Sequence, residues 1–305
     1  MTKYNGILCQ ICYKLETIPK HLEAFKAMTE LANRIRDELL TAIDQDQLTL
    51  PTLPEVALKV RDIAESEDSA IPDMVNTISD DAAMSARIIK VVNSPLFRGS
   101  REINTLNMAV SRLGMDYTSS LAMGLAMEQM FQATSDMIDR RLRTIWQRST
   151  EIAGIAQVLA QHYTKLKPEQ ATLAGLVCQI GALPVLKYVE DNDIQINNAM
   201  LDNLLDELHP IIGDRILKRW DFPLELHHVP SEHVNFKRQL PQADYADVVM
   251  VASLQTLVGT GHPYTDMNWH EITAFQRLGL DPESSMEDDE DLGEQMEAAM
   301  ALLKS

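Results

Sequence analysis

An all-α fold is predicted by three observations. Apolar residues recur three and four positions apart, as in LEAFKAMTELANRIRDELL, the spacing that lines one face of a helix. Strict alternation over a strand-length window is hard to find anywhere in the chain. Prolines and glycines then punctuate the pattern at intervals that leave short helices between them. With 305 residues and an apolar fraction of 45%, the chain can fill a sizeable core.

Each element follows in order. LEAFKAMTELANRIRDELL is the first helix, and Pro51 and Pro54 separate it from VALKVRDIAESED, because proline cannot continue a helix and pushes its predecessor toward extended geometry. Pro72 opens IPDMVNTISD. Asp80 and Asp81 are placed to cap AAMSARIIKVV, which Asn93-Ser94-Pro95 ends, Asn93 satisfying last-turn backbone or a neighbouring loop. Gly114 supplies the left-handed stop for a helix from Thr105 to Leu113. YTSSLAMGLAMEQMF, WQRSTEIAGIAQVLAQHY, the packed apolar stretch TLAGLVCQIGAL, DELHPIIGDRILKRW and ADYADVVMVASLQTLVG complete about ten helices with no internal repeat.

This gives an N-terminal segment with one long helix over 1–47, a compact multi-helix domain over 48–280, and an acidic tail over 281–305. Acidic residues at 283, 287–291, 294 and 297 repel one another and resist burial. The terminal EQMEAAMALLKS either docks as an amphipathic helix or stays free.

Charge and cysteine content exclude several functions. A net charge of -18 repels polyphosphate backbones and anionic headgroups, so neither nucleic acid nor membrane is expected as a partner. The apolar stretch from Asp247 to Val258 falls well short of the ~20 residues needed to cross a bilayer. With Cys9, Cys12 and Cys178 only, and no secretory signal, the chain is expected in the cytoplasm without disulfides. Cys9 and Cys12 have C-x-x-C spacing but lack the second pair or the strand-to-helix setting that zinc or redox chemistry needs.

Other candidates have plain readings beside chemical ones. Met123, Met127 and Met130 share one helical face and suit core packing. Arg140, Arg141, Arg143 and Arg148 form the strongest basic run, either a site for an anionic partner or a solvated face paired with nearby acids. No phosphate-binding loop and no GxSxG appears. Cys178 lacks a sequence-visible base, and an apolar setting raises its pKa.

Taken together, LPTLPEVALKV, SDDAAMSARIIKVVNSPLF, the helix ending in SRLG, and LAGLVCQIG resemble the HDOD family, the HD-related output domains, over residues 48–260. Such domains resemble the metal-dependent HD phosphohydrolases, whose histidines and aspartates hold metal for phosphoester hydrolysis. The resemblance places Arg148 at the first ligand position, Cys178 and Gln179 at the His-Asp pair, and Ser253 at the late Asp. A guanidinium, thiol, amide and hydroxyl form a poor set for a hard divalent ion. At an effective dielectric of ~20, unit charges ~4 Å apart interact by ~4 kcal/mol, so Arg148 repels a divalent ion by about twice that.

The resemblance therefore implies a non-catalytic bacterial signalling domain with no cofactor and no enzymatic activity, acting on a protein partner. With no recognisable sensory domain in the chain, the signal is expected to arrive in trans. Two alternatives stay open. Histidines fall late in the domain at His209, His227, His228 and His233, and the first resembles a second-metal histidine of the HD-GYP branch. They would support a residual metal-dependent phosphohydrolase; the plainer reading has His209 capping or orienting a helix and the others on a surface loop. Alternatively, Arg148 and Gln179 bind a small nucleotide or other anion without metal. The oligomeric state and the partner are not set by the sequence.

Overall fold

Wherever the 3.6-residue apolar repeat runs, the chain is helical. A computed structural model describes residues 29–45, 54–94, 97, 102–131, 135–282, 295–296 and 300, and these contain helices and no strand. The first, α1 (29–44), buries Ala32, Ile35, Leu39 and Ile43 along one face. These join the same core as the helices that follow, and Asp44 pairs with Arg215 at 3.4 Å. The N-terminal helix is thus built into the body.

Four short helices form one end of the molecule: α2 (Glu55–Glu65), α3 (Ile71–Ser79), α4 (Ala82–Val92) and α5 (Leu106–Leu113). Asp81 caps α4, its Oδ1 accepting from the Met84 amide at 2.9 Å, whereas Asp80 ends α3 instead. Asn93 does both things foreseen for it. Its amide donates to the carbonyls of Ile89 (3.1 Å) and Ile103 (2.7 Å), and its oxygen accepts from the Ile103 amide. Gly114, at φ 82°, lets α5 stop and α6 (Met115–Met127) begin within one residue.

Buried helices form the centre. Met123, Met127 and Met130 are all in the core. α7 (Asp136–Tyr163) runs 28 residues, starting from the basic run and capped by Ser135. α8 (Pro168–Val177) lies against it so closely that a Cβ on Gly175 would sit 2.5 Å from the Ala153 Cα. α9 (Ala182–Asp191), α10 (Asn198–Arg219), the single-turn α11 (Val229–Glu232), α12 (Tyr245–Gln255) and α13 (Thr273–Leu278) complete the body.

The stretch TLAGLVCQIGAL is not one packed helix. α8 ends at Val177, residues 178–181 turn, and α9 restarts at Ala182. Pro184 explains the break: within a continuous helix its ring would clash with the carbonyl of Ile180 and remove that hydrogen bond, but it is tolerated in the first turn of α9. The turn presses on α10, since a Cβ on Gly181 would meet the His209 carbonyl oxygen at 2.1 Å. Among the described residues, Pro168–Asp191 is the one helical stretch long and apolar enough to cross a membrane, and 83% of its most apolar window is buried inside the protein.

Of the terminal segment, Met296 is buried and Met300 packs on the core, while Gln295 Oε1 lies 2.9 Å from His162 Nε2. These described tail residues therefore dock at the C-terminal end of α7, not on its arginine-rich start. Cys9, Cys12 and the acidic run 283–294 lie outside the described residues.

Candidate functional site

Arg148, halfway along α7, reaches across to α12, and α7 packs against both α8 and α12. Its Nη2 donates to Ser253 Oγ at 3.3 Å, its Nε has no hydrogen-bond partner, and among the described residues it makes no ion pair. Burial lowers its pKa, against the opposing pull of Cys178, Asp206, Tyr264 and Glu151. A guanidinium stays protonated under such a shift. The structure thus places an unpaired cation among the four positions compared above with HD ligands.

Cys178 and Gln179 occupy the α8–α9 turn. The Cys178 thiol is fully buried and donates to the Gly175 carbonyl at 3.1 Å. Burial pushes its pKa up to about 12, partly offset by Arg148, so it is a neutral thiol and neither a nucleophile nor a ready metal ligand. Gln179 carries an Oε1 that is buried and unpartnered.

The late histidines divide into two kinds. His209, inside α10, and His233, at the end of α11, are both buried, with ring centroids 6.0 Å apart. This corrects the surface-loop expectation for His233, and His209 sits within its helix instead of capping it. Each ring is oriented by its own helix: His209 Nδ1–H donates to the Leu205 carbonyl at 2.7 Å and His233 Nδ1–H to the Val229 carbonyl at 2.9 Å. A carbonyl only accepts, so in both neutral rings Nε2 is left as a bare lone pair. Burial lowers the two pKa values to about 4 and about 3, the second also through His209 and both through Arg148.

His227 and His228 belong elsewhere. His227 Nε2–H donates to the Phe222 carbonyl at 2.7 Å, and exposed His228 pairs with Asp214 at 2.8 Å. The four histidines do not form one cluster. Among the described residues no three His, Cys, Asp or Glu side chains converge in a way that could hold a metal ion. Two neutral imidazoles beside a guanidinium without an ion pair, a neutral thiol and a hydroxyl do not fit a divalent cation, because the guanidinium repels the ion and none of the other four groups carries a compensating negative charge.

Two of the other three arginines in the run are paired with acids, and the third bonds a backbone carbonyl. Arg141 pairs with Asp202 at 2.6 Å, Arg143 with Asp139 at 2.7 Å, and Arg140 Nε donates to the Asp136 carbonyl at 3.0 Å. That is the solvated, acid-paired face weighed against an anion site. Arg148 alone of the four turns inward.

Three site residues escaped the sequence reading. Asp206, exposed and one turn before His209, lies within electrostatic reach of Arg148, and partial burial holds its pKa above the ordinary carboxylate value. His262 and Tyr264 come from the segment 256–272 between α12 and α13; their rings lie 4.6 Å apart, and both feel the charges of Arg148 and Asp206. The signal for Asp206 was its i, i+3 spacing from His209. For the other two it was only Gly259 and Gly261, whose positive φ values of 75° and 70° fold the segment back over the body.

Comparisons with known proteins bear on this arrangement. The family model of the HDOD domain matches residues 50–236. A crystal structure of a proposed metal-dependent phosphohydrolase from Shewanella amazonensis SB2B is 31% identical, covers 90% of this chain and 99% of its own, and superposes with a TM-score of 0.79. One of a proposed signal transduction protein from Marinobacter aquaeolei VT8 is 23% identical with a TM-score of 0.60, over 89% of this chain and 65% of that one, and shows the same fold. A protein of Treponema pallidum (strain Nichols), described as uncharacterized, is 25% identical over 256 residues, 76% of this chain. The chain spans about half, 47%, of that relative's length.

Proposed function

The chain belongs to the HDOD family, and on that premise we propose that it is a non-catalytic signalling domain that works in the cytoplasm through contacts with a protein partner. The observation that carries this reading is Arg148, an unpaired guanidinium bonded to Ser253 at 3.3 Å where a phosphohydrolase of this architecture would need its cation. The Shewanella protein is named for metal-dependent phosphohydrolysis, and its likeness makes the question sharp. The chemistry of the side chains here supports the other answer. Neutral Cys178 and lone-pair imidazoles flanked by positive charge neither hold a divalent ion nor activate water.

Purified protein is expected to hold no stoichiometric divalent metal and to release no product from phosphomonoester or phosphodiester substrates. Affinity capture from the native cell is expected to bring down a defined protein partner. Turnover abolished by a chelator and by His209→Asn or His233→Asn would overturn the reading in favour of a residual hydrolase.

A second reading, of a metal-free anion sensor, is favoured by one specific observation: Arg148 Nε, Gln179 Oε1 and His209 Nε2 are all buried without partners.

A further inference from the structure

Buried polar groups in folded proteins are nearly always hydrogen-bonded, and each exception asks for a reason. Among the exceptions here are Arg148 Nε, Gln179 Oε1 and His209 Nε2, and they are of opposite kinds. Arg148 Nε is a donor without an acceptor, while Gln179 Oε1 and His209 Nε2 are acceptors without a donor. His209 is 6% exposed, and its tautomer is held by the Leu205 carbonyl, so Nε2 cannot become a donor without gaining a proton. The Gly181 turn, two residues on from Gln179, packs on the His209 backbone, and Arg148 is close enough to His209 to act on its charge.

We propose that the Arg148 pocket binds a small free oxyanion that still carries a proton of its own, such as hydrogen phosphate or bicarbonate. Arg148 presents the Nε/Nη2 edge of its guanidinium, the two-donor fork that matches two oxygens of an oxyanion. Ser253 Oγ holds only the outer nitrogen, at 3.3 Å. The opposite wall offers lone pairs, so the ligand must also donate. A bare anion such as sulfate satisfies Arg148 but sets its own lone pairs against His209 Nε2 and Gln179 Oε1, leaving buried acceptors unmade. A protonated oxyanion satisfies both walls.

The three atoms are closed from solvent in this structure. His262 and Tyr264, from the segment 256–272 that follows α12, lie within electrostatic reach of Arg148.

The proposal rests on the metal-free part of the functional reading, and its test separates the two. The heat-unfolding midpoint of the full chain is measured near neutral pH with inorganic phosphate, bicarbonate or sulfate at matched ionic strength, against chloride. Phosphate or bicarbonate is expected to raise the midpoint saturably while sulfate does not, and Arg148→Met is expected to abolish the shift. Equal shifts with sulfate, no shift with either protonated anion, or a shift that survives Arg148→Met would overturn the site, leaving the partner-binding reading standing. Should the variant fail to fold, imidazole nitrogen resonances of the wild-type protein decide. Movement of the His209 Nε2 signal with phosphate supports the site, and a stationary signal shows a cavity filled by water alone.

Discussion

Two arginine-centred clusters meet α12, one near its start and one near its end, and they are built on opposite terms. At the start, fully buried Asp247 accepts from Arg277 Nη2 and Nε, both at 2.7 Å, and from Arg238 Nη1 at 3.1 Å. Arg238 also meets Asp244 at 2.6 Å and Glu232 at 3.1 Å, so two cations face three carboxylates. Near the end, Arg148 bonds to the Ser253 hydroxyl and, among the described residues, forms no ion pair, although Asp206 and Glu151 pull on its charge from further off. Burying charge is tolerable when it is paired, and the first cluster obeys that rule to tie α13 and the 238–244 segment onto α12. The second violates it. A site that leaves charge and lone pairs unmatched is one shaped for something other than stability.

The largest effect should come from breaking the matched cluster. Asp247→Ala removes the carboxylate that pairs with Arg277, leaving its Nη1 on the Thr273 hydroxyl, and strips Arg238 of one of three carboxylates. Removing one partner of a buried pair typically costs about 3–5 kcal/mol, which a urea titration would register as a lower midpoint with unchanged slope. A loss under about 1 kcal/mol would show that the cluster does not clamp the fold and would erase the contrast.

Next in size is acid sensitivity from the unmatched cluster. His209 and His233 are neutral in the fold, with pKa values lowered from 6.5 to about 4 and about 3. The groups facing them are Arg148 from α7 and each other. Between those values and 6.5 the unfolded chain binds more protons than the folded one, so stability rises with pH through that window and is lost as pH falls from about 6.5. Each imidazole should account for about 2 kcal/mol between pH 7 and pH 5. Comparing wild type with His233→Leu at the two pH values isolates this from carboxylate titration. Identical pH slopes would mean that His233 is not held neutral.

How much of this was legible beforehand divides along the same line. The helices followed from apolar spacing, and the caps at Asp81 and Asn93 from residue type, because those contacts are local in the chain. The break at 178–181 does not show in the apolar run TLAGLVCQIGAL itself, because the residue that marks it, Pro184, lies one position beyond it. Arg148, Cys178, Gln179 and Ser253 could be singled out only because the chain resembles a known architecture. Composition alone says nothing of a contact like that between Arg148 and Ser253, 105 positions apart. His262 and Tyr264 had no such guide, since a loop brings them to the pocket and no periodicity describes loops.

A smaller effect is expected when the unmatched cation is removed outright. Arg148→Met keeps the aliphatic stem and deletes a buried guanidinium whose Nε bonds to nothing. Stability should be unchanged or raised by about 1 kcal/mol, whereas Arg238→Met should lose several, as expected when buried carboxylates are left unpaired. Equal losses from the two variants in parallel denaturation curves would mean that Arg148 is a structural residue after all.

The smallest change in stability, and the sharpest test of the contrast, comes from turning one cluster into the other. Ser253→Asp sets a carboxylate opposite Arg148 Nη2, at a position only 9% exposed and now spanned by a 3.3 Å hydrogen bond. The Coulomb gain and the desolvation of a new buried charge nearly cancel, so stability should stay within about 1 kcal/mol of wild type. The consequence lies in binding. With its Nη2 edge engaged by an internal carboxylate, Arg148 has no fork left for an oxyanion, and the thermal shift with phosphate should vanish even though the pocket walls and both histidines are untouched. A variant that is as stable as wild type and still responds to phosphate would show that pairing is not what separates the two ends of α12.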